Sequence, residues 1–137
     1  MIQSLCGAFV MVIDDDDDLR ETIMEVLQDN AHRVVGACNG QEALDLLHGA
    51  KRLPCVILLD LMMPVMNGRQ FRVALMNDPE LSDIPVVILS AHANIDEVLD
   101  DLSVDAKLSK PVEIAPLLAL VNQHCSEAEA KEQALTL

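Results

Sequence analysis

The sequence predicts an α/β protein built on a doubly wound, parallel five-stranded sheet with helices on both faces. Three observations predict this class: the apolar runs are short and nearly continuous, amphipathic segments alternate with them, and the order βα repeats five times. Continuous apolar runs are typical of strands that are buried on both faces of a parallel sheet. Because parallel strands need crossover connections, the intervening helices cover both faces of that sheet.

Five segments form the predicted strands. Four are strongly apolar and the last is weaker, and they lie at Phe9–Ile13, Val34–Ala37, Val56–Leu59, Val86–Leu89 and Ala106–Leu108. Pro85 introduces the fourth strand, where a missing backbone N–H is tolerated. Right-handed crossovers between such strands leave few topologies to consider.

Helical periodicity marks the segments between the strands. The apolar stripes of the five predicted helices are Leu19/Ile23/Val26/Leu27, Ala43/Leu44/Leu47, Phe71/Ala74/Leu75, Ile95/Val98/Leu99/Leu102 and Leu117/Leu120/Val121/His124. Asn39 and Asn94 have the chemistry of N-caps before the second and fourth helices, and Gly49 ends the second. We expect residues 1–125 to form a single domain, with residues 126–137 either extending the last helix or fraying.

Composition excludes several classes of function. The 137 residues carry a net charge of −14 and include no Trp, no Tyr and only two Phe. Nucleic-acid binding needs basic residues for phosphates and aromatic residues for bases, so nucleic acid is an improbable partner. The apolar start Met1–Ile13 lacks a basic n-region and is too short to span a bilayer. We therefore expect a soluble, cytoplasmic protein without membrane insertion.

The four cysteines are far apart in sequence, at positions Cys6, Cys38, Cys55 and Cys125. No pair has CxxC spacing, so neither a zinc site nor a redox dithiol is indicated. Cys55 adjoins an apolar run, and we expect it to be a buried free thiol in a reducing cytosol.

Polar side chains collect at the predicted strand ends. Asp14 and Asp15 follow the first strand, and Asp60 follows the third. Ser90 follows the fourth strand and Lys110 comes just after the fifth. Because the carboxyl ends of parallel strands meet at one edge, where open α/β sheets bind ligands, we expect these residues to share one pocket.

The residue types in this pocket suggest phosphoryl chemistry. Three neighbouring carboxylates repel one another, and the single charge of Lys110 does not compensate for them. A divalent cation would, and the hard oxygen ligands suit Mg²⁺, for which Mn²⁺ can substitute. With a cation and a lysine nearby, ionised Asp60 is a plausible nucleophile toward a phosphoryl group, and Ser90 can donate its hydroxyl to that group.

Four motifs, VIDDDDDLR, LLDLMMPVMNG, VVILSA and KLSKP, occur in order at these strand ends. The chain resembles the receiver domain of two-component response regulators from about Phe9 to about Gln123. The resemblance implies a flavodoxin-like (βα)₅ fold with strand order 2-1-3-4-5. It also implies a phosphoacceptor regulatory domain rather than an enzyme, with a sensor histidine kinase or a histidine phosphotransfer protein as phosphoryl donor.

The resemblance assigns roles to the acidic residues. Asp60 resembles the phosphoacceptor, Asp15 the carboxylate bound directly to Mg²⁺, and Asp14 one that holds the ion partly through water. The backbone carbonyl of Met62 would complete the protein ligands. Gly68 fits the turn that follows the phosphoacceptor.

Ser90 matches the serine or threonine that senses the phosphoryl group. Lys110 matches the lysine whose following proline, here Pro111, is usually preceded by a cis peptide. Met62 and His92 match positions that flank the phosphoryl group and influence water access, although His92 is equally interpretable as a loop histidine exposed to solvent.

The acidic run has two other interpretations. Asp16, Asp17 and Asp18 suit the solvated start of a helix, where negative charge is favourable. Asp14, Asp16, Asp18 and Glu25 occupy positions 1, 3, 5 and 12 of a calcium loop. However, Leu19 stands where such a loop needs glycine, and a strand rather than a helix precedes it.

Two rival functions remain. An aspartyl-phosphate phosphohydrolase resembling the haloacid dehalogenase family needs an acid two residues after the nucleophile, where this chain has Met62. A receiver-like interaction module that acts without phosphorylation is the alternative, and Lys107 is its only support. Receivers usually have Tyr or Phe at that position, and we expect Lys107 to stay outward because an unpaired charge is costly inside.

Overall fold

The computed structural model describes residues 9–91 and 104–136, with side chains to residue 128, and five strands in these ranges pair into one sheet. The strands are β1 (Val10–Ile13), β2 (Val34–Ala37), β3 (Val56–Asp60), β4 (Val86–Ser90) and β5 (Ala106–Ser109). All neighbours are parallel, in the order β2-β1-β3-β4-β5. The predicted doubly wound fold and its strand order are confirmed.

The described helices are α1 (Asp17–Asp29), α2 (Gly40–Gly49), α3 (Gly68–Met76) and α4 (Ile114–Thr136). Pro116 lies in the first turn of α4, where proline leaves no intrahelical hydrogen bond unmade. Within the described ranges, no helix is both long and apolar enough to cross a bilayer. The helix predicted around Ile95, its cap Asn94 and the flanking His92 lie outside the described residues.

The alternation of side chains along each strand divides the core into two layers. Val10 and Val12 belong to the layer beneath α1 and α4, whereas Met11 and Ile13 belong to the layer beneath α2 and α3. Successive residues of a strand point to opposite faces, so a strand covered on both sides must be apolar throughout. This explains why the strand segments are continuous apolar runs.

The acidic run after β1 starts α1. The Asp16 carboxylate accepts a hydrogen bond from the Leu19 N–H at 3.1 Å and so caps the helix. Asp17 and Asp18 occupy the first turn, where negative charge interacts favourably with the helix dipole. The interpretation of these three residues as a helix start is confirmed.

Gly68 places α3 directly against the end of β3. A Cβ at this position would lie 2.7 Å from the Leu61 Cα and would overlap the Asp60 carbonyl oxygen. The Gly68 N–H donates to the Leu61 carbonyl at 3.0 Å. Because a side chain here would push on backbone rather than on a flexible group, glycine is required for Asp60 to keep its position.

Cys55 is not a free thiol. It forms a disulfide with Cys125, across a sequence separation of 70 residues and a Cα–Cα distance of 5.1 Å. The expectation for Cys55 was wrong because the fold packs α4 against the start of β3, and spacing along the chain carries no sign of that approach. Cys38 is free.

Lys107 lies in β5 and is exposed to solvent. Its neighbours Ala106 and Leu108 are half-buried and pack on the layer beneath α1 and α4. The expectation that Lys107 stays outward is confirmed.

Candidate functional site

Three carboxylates meet at the carboxyl edge of the sheet. Asp14 directly follows β1, Asp15 comes next, and Asp60 is the last residue of β3. Carboxylate oxygens of the three residues lie within 4.8 Å of one another. Asp14 is 0% and Asp60 4% exposed, whereas Asp15 is open to solvent. The structure thus brings together acids that are 46 residues apart because β1 and β3 are neighbours in the sheet.

Lys110 reaches this cluster from the loop after β5. Its Nζ lies 3.1 Å from Asp14 Oδ2 and 3.3 Å from Asp60 Oδ1. The Lys110 N–H donates to the Ser90 carbonyl at 2.9 Å, which holds the loop against β4. Burial lowers the pKa of Lys110, but its contacts with the two carboxylates outweigh burial and raise that pKa above its ordinary value. The side chain is therefore a permanent cation.

One ammonium does not balance three carboxylates. Burial and the neighbouring charge of Asp14 raise the pKa of Asp60 to about 6, although Lys110 partly opposes the shift. A carboxyl with such a pKa is partly protonated near neutral pH, and a bound cation can take the place of that proton.

The donor set fits a divalent cation. Asp14 Oδ2 is buried and, among the described residues, has Lys110 as its ion-pair partner but accepts no hydrogen bond. The carboxylates and the backbone carbonyls around them are hard oxygen ligands, which Mg²⁺ prefers. The acidic cluster is typical of a receiver magnesium site.

The cluster opens into a cavity of about 420 Å³. Its lining consists of Asp14, Asp15, Asp16, Asp60, Met62, Ser90, Ala91 and Lys110. All six residues of the predicted site are among them. Ser90 is 3% exposed at the end of β4, and Met62, whose N–H lies 3.4 Å from Asp60 Oδ1, is largely exposed. The Lys110–Pro111 peptide is cis, as the resemblance implies.

Arg20 also contacts the site, although no sequence motif assigns it a role. Its Nη1 donates to the Asp14 carbonyl at 2.8 Å, and its Nη2 donates to Asp17 Oδ1 at 2.7 Å. The signal available in the sequence was its position as the first basic residue after five consecutive acids.

The fold and this pocket define a doubly wound α/β domain with an acidic site at the carboxyl edge of its sheet. Residues 10–122 match the family described as the response regulator receiver domain. The chain belongs to this family. It is therefore a regulatory phosphoacceptor module of two-component signalling rather than a classical enzyme, and receiver domains pair with histidine kinases.

Curated relatives support this assignment. The chain is 32% identical over 126 residues to an uncharacterized 14.6 kDa protein of Leptolyngbya boryana, covering 90% of this chain and 95% of that protein. It is 31% identical to the response regulator Rre1 of Synechocystis, covering 91% of this chain and 54% of that protein. It is 34% identical to the response regulator MprA of Mycolicibacterium vanbaalenii, covering 80% and 47%. The chain spans about half the length of the latter two relatives.

Solved structures of receiver proteins have a fold similar to that of this chain. A response regulator receiver protein from Pseudomonas putida superposes with a TM-score of 0.78 at 30% identity, covering 85% of this chain and 96% of that chain. The chemotaxis protein CheY4 of Vibrio cholerae superposes with a TM-score of 0.76 at 27% identity, covering 85% and 97%. The receiver domain of a histidine kinase from Syntrophus aciditrophicus, at 24% identity and a TM-score of 0.79, shows the shared fold over 88% and 91% of the chains.

Proposed function

We propose that this protein accepts a phosphoryl group on Asp60 from a phosphohistidine of a partner, in a reaction that depends on Mg²⁺ or Mn²⁺. The observation that carries the proposal is the meeting of Asp14, Asp15 and Asp60 with Lys110 in one cavity. The phosphoryl donor would be a sensor histidine kinase or a histidine phosphotransfer protein.

In the proposed reaction, a carboxylate oxygen of Asp60 forms the bond to phosphorus while the bond from phosphorus to the histidine nitrogen breaks. The imidazole nitrogen of the donor keeps the electron pair and takes up a proton. Asp60 must be ionised to attack, and Lys110, with its Nζ 3.3 Å from Asp60 Oδ1, favours that form. Lys110 is also near enough to pair with a phosphoryl oxygen once the acyl phosphate has formed.

The metal would be held by Asp14, Asp15, Asp60 and the backbone carbonyl of Met62. When bound, it neutralises charge on the transferring phosphoryl oxygens. Two observations support this assignment: a buried Asp14 oxygen accepts no hydrogen bond from the part of the chain that the structure describes, and the Asp15 carboxylate is exposed. Asp14 would hold the ion from the protein side, whereas Asp15 lies on the side open to solvent.

Ser90 would bind the phosphoryl group once it is attached to Asp60. It lies at the end of β4 and lines the cavity, so its hydroxyl can donate to a phosphoryl group on the neighbouring strand. We propose that this contact changes the protein surface and thereby switches protein–protein contacts, or that the phosphoryl group passes onward in a phosphorelay.

We further propose that residues 1–125 form the receiver unit and that residues 126–137 extend its last helix, which is helical as far as Thr136. The proposed compartment is the cytoplasm, where histidine kinases would supply the phosphoryl group. Nucleic acid is not a proposed partner, because the net charge is −14.

Intact-mass spectrometry of the protein incubated with acetyl phosphate or phosphoramidate tests the proposal. We expect a single, hydroxylamine-labile phosphoryl adduct that requires Mg²⁺ and is absent from Asp60→Asn. A matched control is Asp45→Asn, which removes a carboxylate from the exposed side of α2 and should leave the adduct unchanged. A folded protein that binds Mg²⁺ but forms no adduct with either donor or with a kinase would refute the proposal.

The alternative is a receiver-like module that binds its partner without phosphorylation. The exposed Lys107, in place of the aromatic residue usual in receivers, favours it. Partner binding that is the same for the wild type with phosphodonor and for Asp60→Asn would establish this alternative, whereas a phosphodonor-dependent change would exclude it.

A further inference from the structure

We propose that Arg20 is a positioning residue for the metal site, fixing the Asp14–Asp15 peptide so that the Asp15 carboxylate faces the cation. This inference rests on the proposed function of the site. Arg20 Nη1 donates to the Asp14 carbonyl oxygen at 2.8 Å. That oxygen belongs to the peptide that joins Asp14 to Asp15, so the hydrogen bond sets the orientation of this peptide plane.

The rest of the main chain around Asp14 is held by separate contacts. The Asp14 N–H donates to the Ala37 carbonyl at 3.1 Å, which continues the pairing of β1 with β2. The Asp14 side chain accepts from the Asp16 N–H at 2.9 Å. Neither contact fixes the Asp14 carbonyl, and Arg20 supplies that restraint. Asp15 is exposed, so its direction depends on the backbone rather than on packing.

The guanidinium is itself anchored at a second point. Its Nη2 donates to Asp17 Oδ1 at 2.7 Å, so one planar group bridges the end of β1 and the first turn of α1. A planar guanidinium holds its donors in fixed directions, whereas a lysine ammonium does not. The Arg20 side chain is only 16% exposed, while Asp17 is 73% exposed.

Gly36 of β2 leaves room for this side chain. A Cβ at position 36 would lie 3.3 Å from the Arg20 Cδ and 2.7 Å from the Met24 Sδ. The aliphatic part of Arg20 therefore passes over β2 before the guanidinium reaches the end of β1. This packing limits the rotamers of Arg20 and holds its two donors within hydrogen-bond distance of their acceptors.

A purely electrostatic role for Arg20 predicts the opposite result. A cation near three carboxylates competes with a bound metal, so removing its charge would strengthen metal binding. A positioning role predicts weaker binding after removal, and it also predicts that lysine does not restore affinity. The sign of the change therefore separates the two roles.

The experiment measures the dissociation constant for Mn²⁺ by the loss of the free-ion electron paramagnetic resonance signal. The proteins are the full chain, Arg20→Met, Arg20→Lys and the control Arg33→Met. Arg33 is exposed and its carbonyl accepts from Val10 at the opposite edge of the sheet, so the control removes the same charge far from the site. Thermal unfolding in EDTA shows that each variant is folded.

We expect both Arg20 variants to bind Mn²⁺ roughly tenfold more weakly, the usual effect of losing a group that orients a metal ligand. Arg33→Met should match the wild type. Unchanged or tighter binding by folded Arg20→Met would overturn the inference, as would full affinity in Arg20→Lys. A wild type that binds no Mn²⁺ would refute the proposed metal site itself, which is a different outcome.

If Arg20→Met does not fold, Asp17→Asn keeps the inference testable. Asp17 is exposed and its carboxylate anchors Arg20 without facing the cavity. Weakening the anchor should reduce Mn²⁺ affinity by roughly two- to threefold, less than the loss of Arg20 itself. Because the loss of a nearby negative charge by itself weakens cation binding, Asp18→Asn, at the next exposed acid of α1, is the matched control. Affinity in Asp17→Asn equal to that of the wild type, or no weaker than in Asp18→Asn, would count against positioning.

Discussion

The amino and carboxyl edges of this sheet differ in how their polar groups are paired. At the amino edge, the Val10 N–H donates to the Arg33 carbonyl and the Cys55 N–H to the Phe9 carbonyl, both at 2.8 Å. The Asp105 carboxylate accepts from the Val86 N–H at 2.8 Å. At the carboxyl edge, by contrast, three carboxylates lie close together, Lys110 pairs with two of them, and a buried oxygen of Asp14 accepts no hydrogen bond from the described residues.

Polar groups at the amino edge of the sheet are thus paired by hydrogen bonds that stabilise the fold. The carboxylates at its carboxyl edge repel one another. Carboxylates without enough partners lower the stability of the metal-free fold, but they are what a cation and a phosphoryl group require. The disulfide of Cys55 with Cys125 lies at the amino edge, where it adds stability without entering the cavity. The contacts that stabilise the fold therefore lie at the amino ends of the strands, and the candidate functional site lies at their carboxyl ends.

Breaking the disulfide should have the largest effect on stability. Cys125→Ser opens a loop of 70 residues, and the loop-closure entropy of the unfolded chain sets an upper limit of about 4 kcal/mol for the loss. Urea denaturation of the oxidised protein measures the change. The control is Cys38→Ser, which removes a free thiol and leaves the disulfide intact. Phosphoryl uptake in Cys125→Ser should stay near that of the wild type below its unfolding transition, and a stability equal to the wild type would contradict the prediction.

Neutralising Asp60 should stabilise the metal-free protein. Its pKa is raised from 3.8 to about 6, so the folded state binds this proton more tightly than the unfolded state does. The destabilisation is fully present above the folded pKa and disappears below the unfolded pKa. We expect Asp60→Asn in EDTA to gain on the order of 2 kcal/mol at pH 7.5, with the gain shrinking as the pH falls through about 6.

Denaturant unfolding of Asp60→Asn and the wild type between pH 4.5 and about 7.5 tests this change, since the lower pH lies between the unfolded and folded pKa values of Asp60 and the upper pH lies above both. A gain that does not depend on pH would show that charge is not its cause. Added Mg²⁺ should stabilise the wild type but not the variant, because the variant lacks one of the proposed ligands.

Removing an acid from the opposite edge should have the opposite sign. Asp105→Ala deletes the acceptor of the Val86 N–H at the start of β4. We expect a loss of about 2 kcal/mol, the usual net value of a hydrogen bond to a charged group. Denaturant unfolding measures it, with Asp105→Asn as a control that retains an acceptor oxygen. A stabilised Asp105→Ala would remove the contrast between the edges.

The smallest effects concern two residues with positive φ, one at each edge. Val65, with φ 67°, lies in the loop after Asp60, and Ala31, with φ 68°, follows Asn30, the C-cap of α1. The Ala31 N–H donates to the Gln28 carbonyl and the His32 N–H to the Leu27 carbonyl, which is a Schellman motif. Glycine at either position should stabilise the fold by about 1 kcal/mol or less.

Thermal unfolding measures both changes, and a decrease in stability would contradict them. Ala31→Gly should leave phosphoryl uptake unchanged because it lies at the amino edge. Val65→Gly loosens the loop that carries Met62 and so should alter Mg²⁺ affinity slightly. The two substitutions should therefore have similar effects on stability and different effects on the site.

Much of the site could be predicted from sequence because strand ends are visible in it. Asp14 and Asp60 stand directly beside apolar runs, and parallel pairing places such positions at one edge whatever the loop lengths between them. The strand ends were predicted one residue early at Asp60 and Ser90, since polar residues end an apolar pattern before they end the hydrogen-bonded ladder.

Arg20 and the disulfide could not be predicted in the same way. Both depend on how a helix lies across the sheet: α1 brings Arg20 to the Asp14 carbonyl, and α4 brings Cys125 to Cys55. Helix orientation follows from the packing of many side chains in the two core layers, and no local pattern encodes it.

The sequence by itself determined the fold class, the strand order through its likeness to receivers, and the set of carboxylates, serine and lysine that line the cavity. These follow from periodicity and from the directionality of parallel strands, which are local properties of the chain. Only the tertiary structure decided which residue hydrogen-bonds the Asp14 carbonyl, which cysteines pair and how burial raises the pKa of Asp60. These depend on distances of a few ångströms between elements far apart in sequence, and on burial that exists only after the layers have packed.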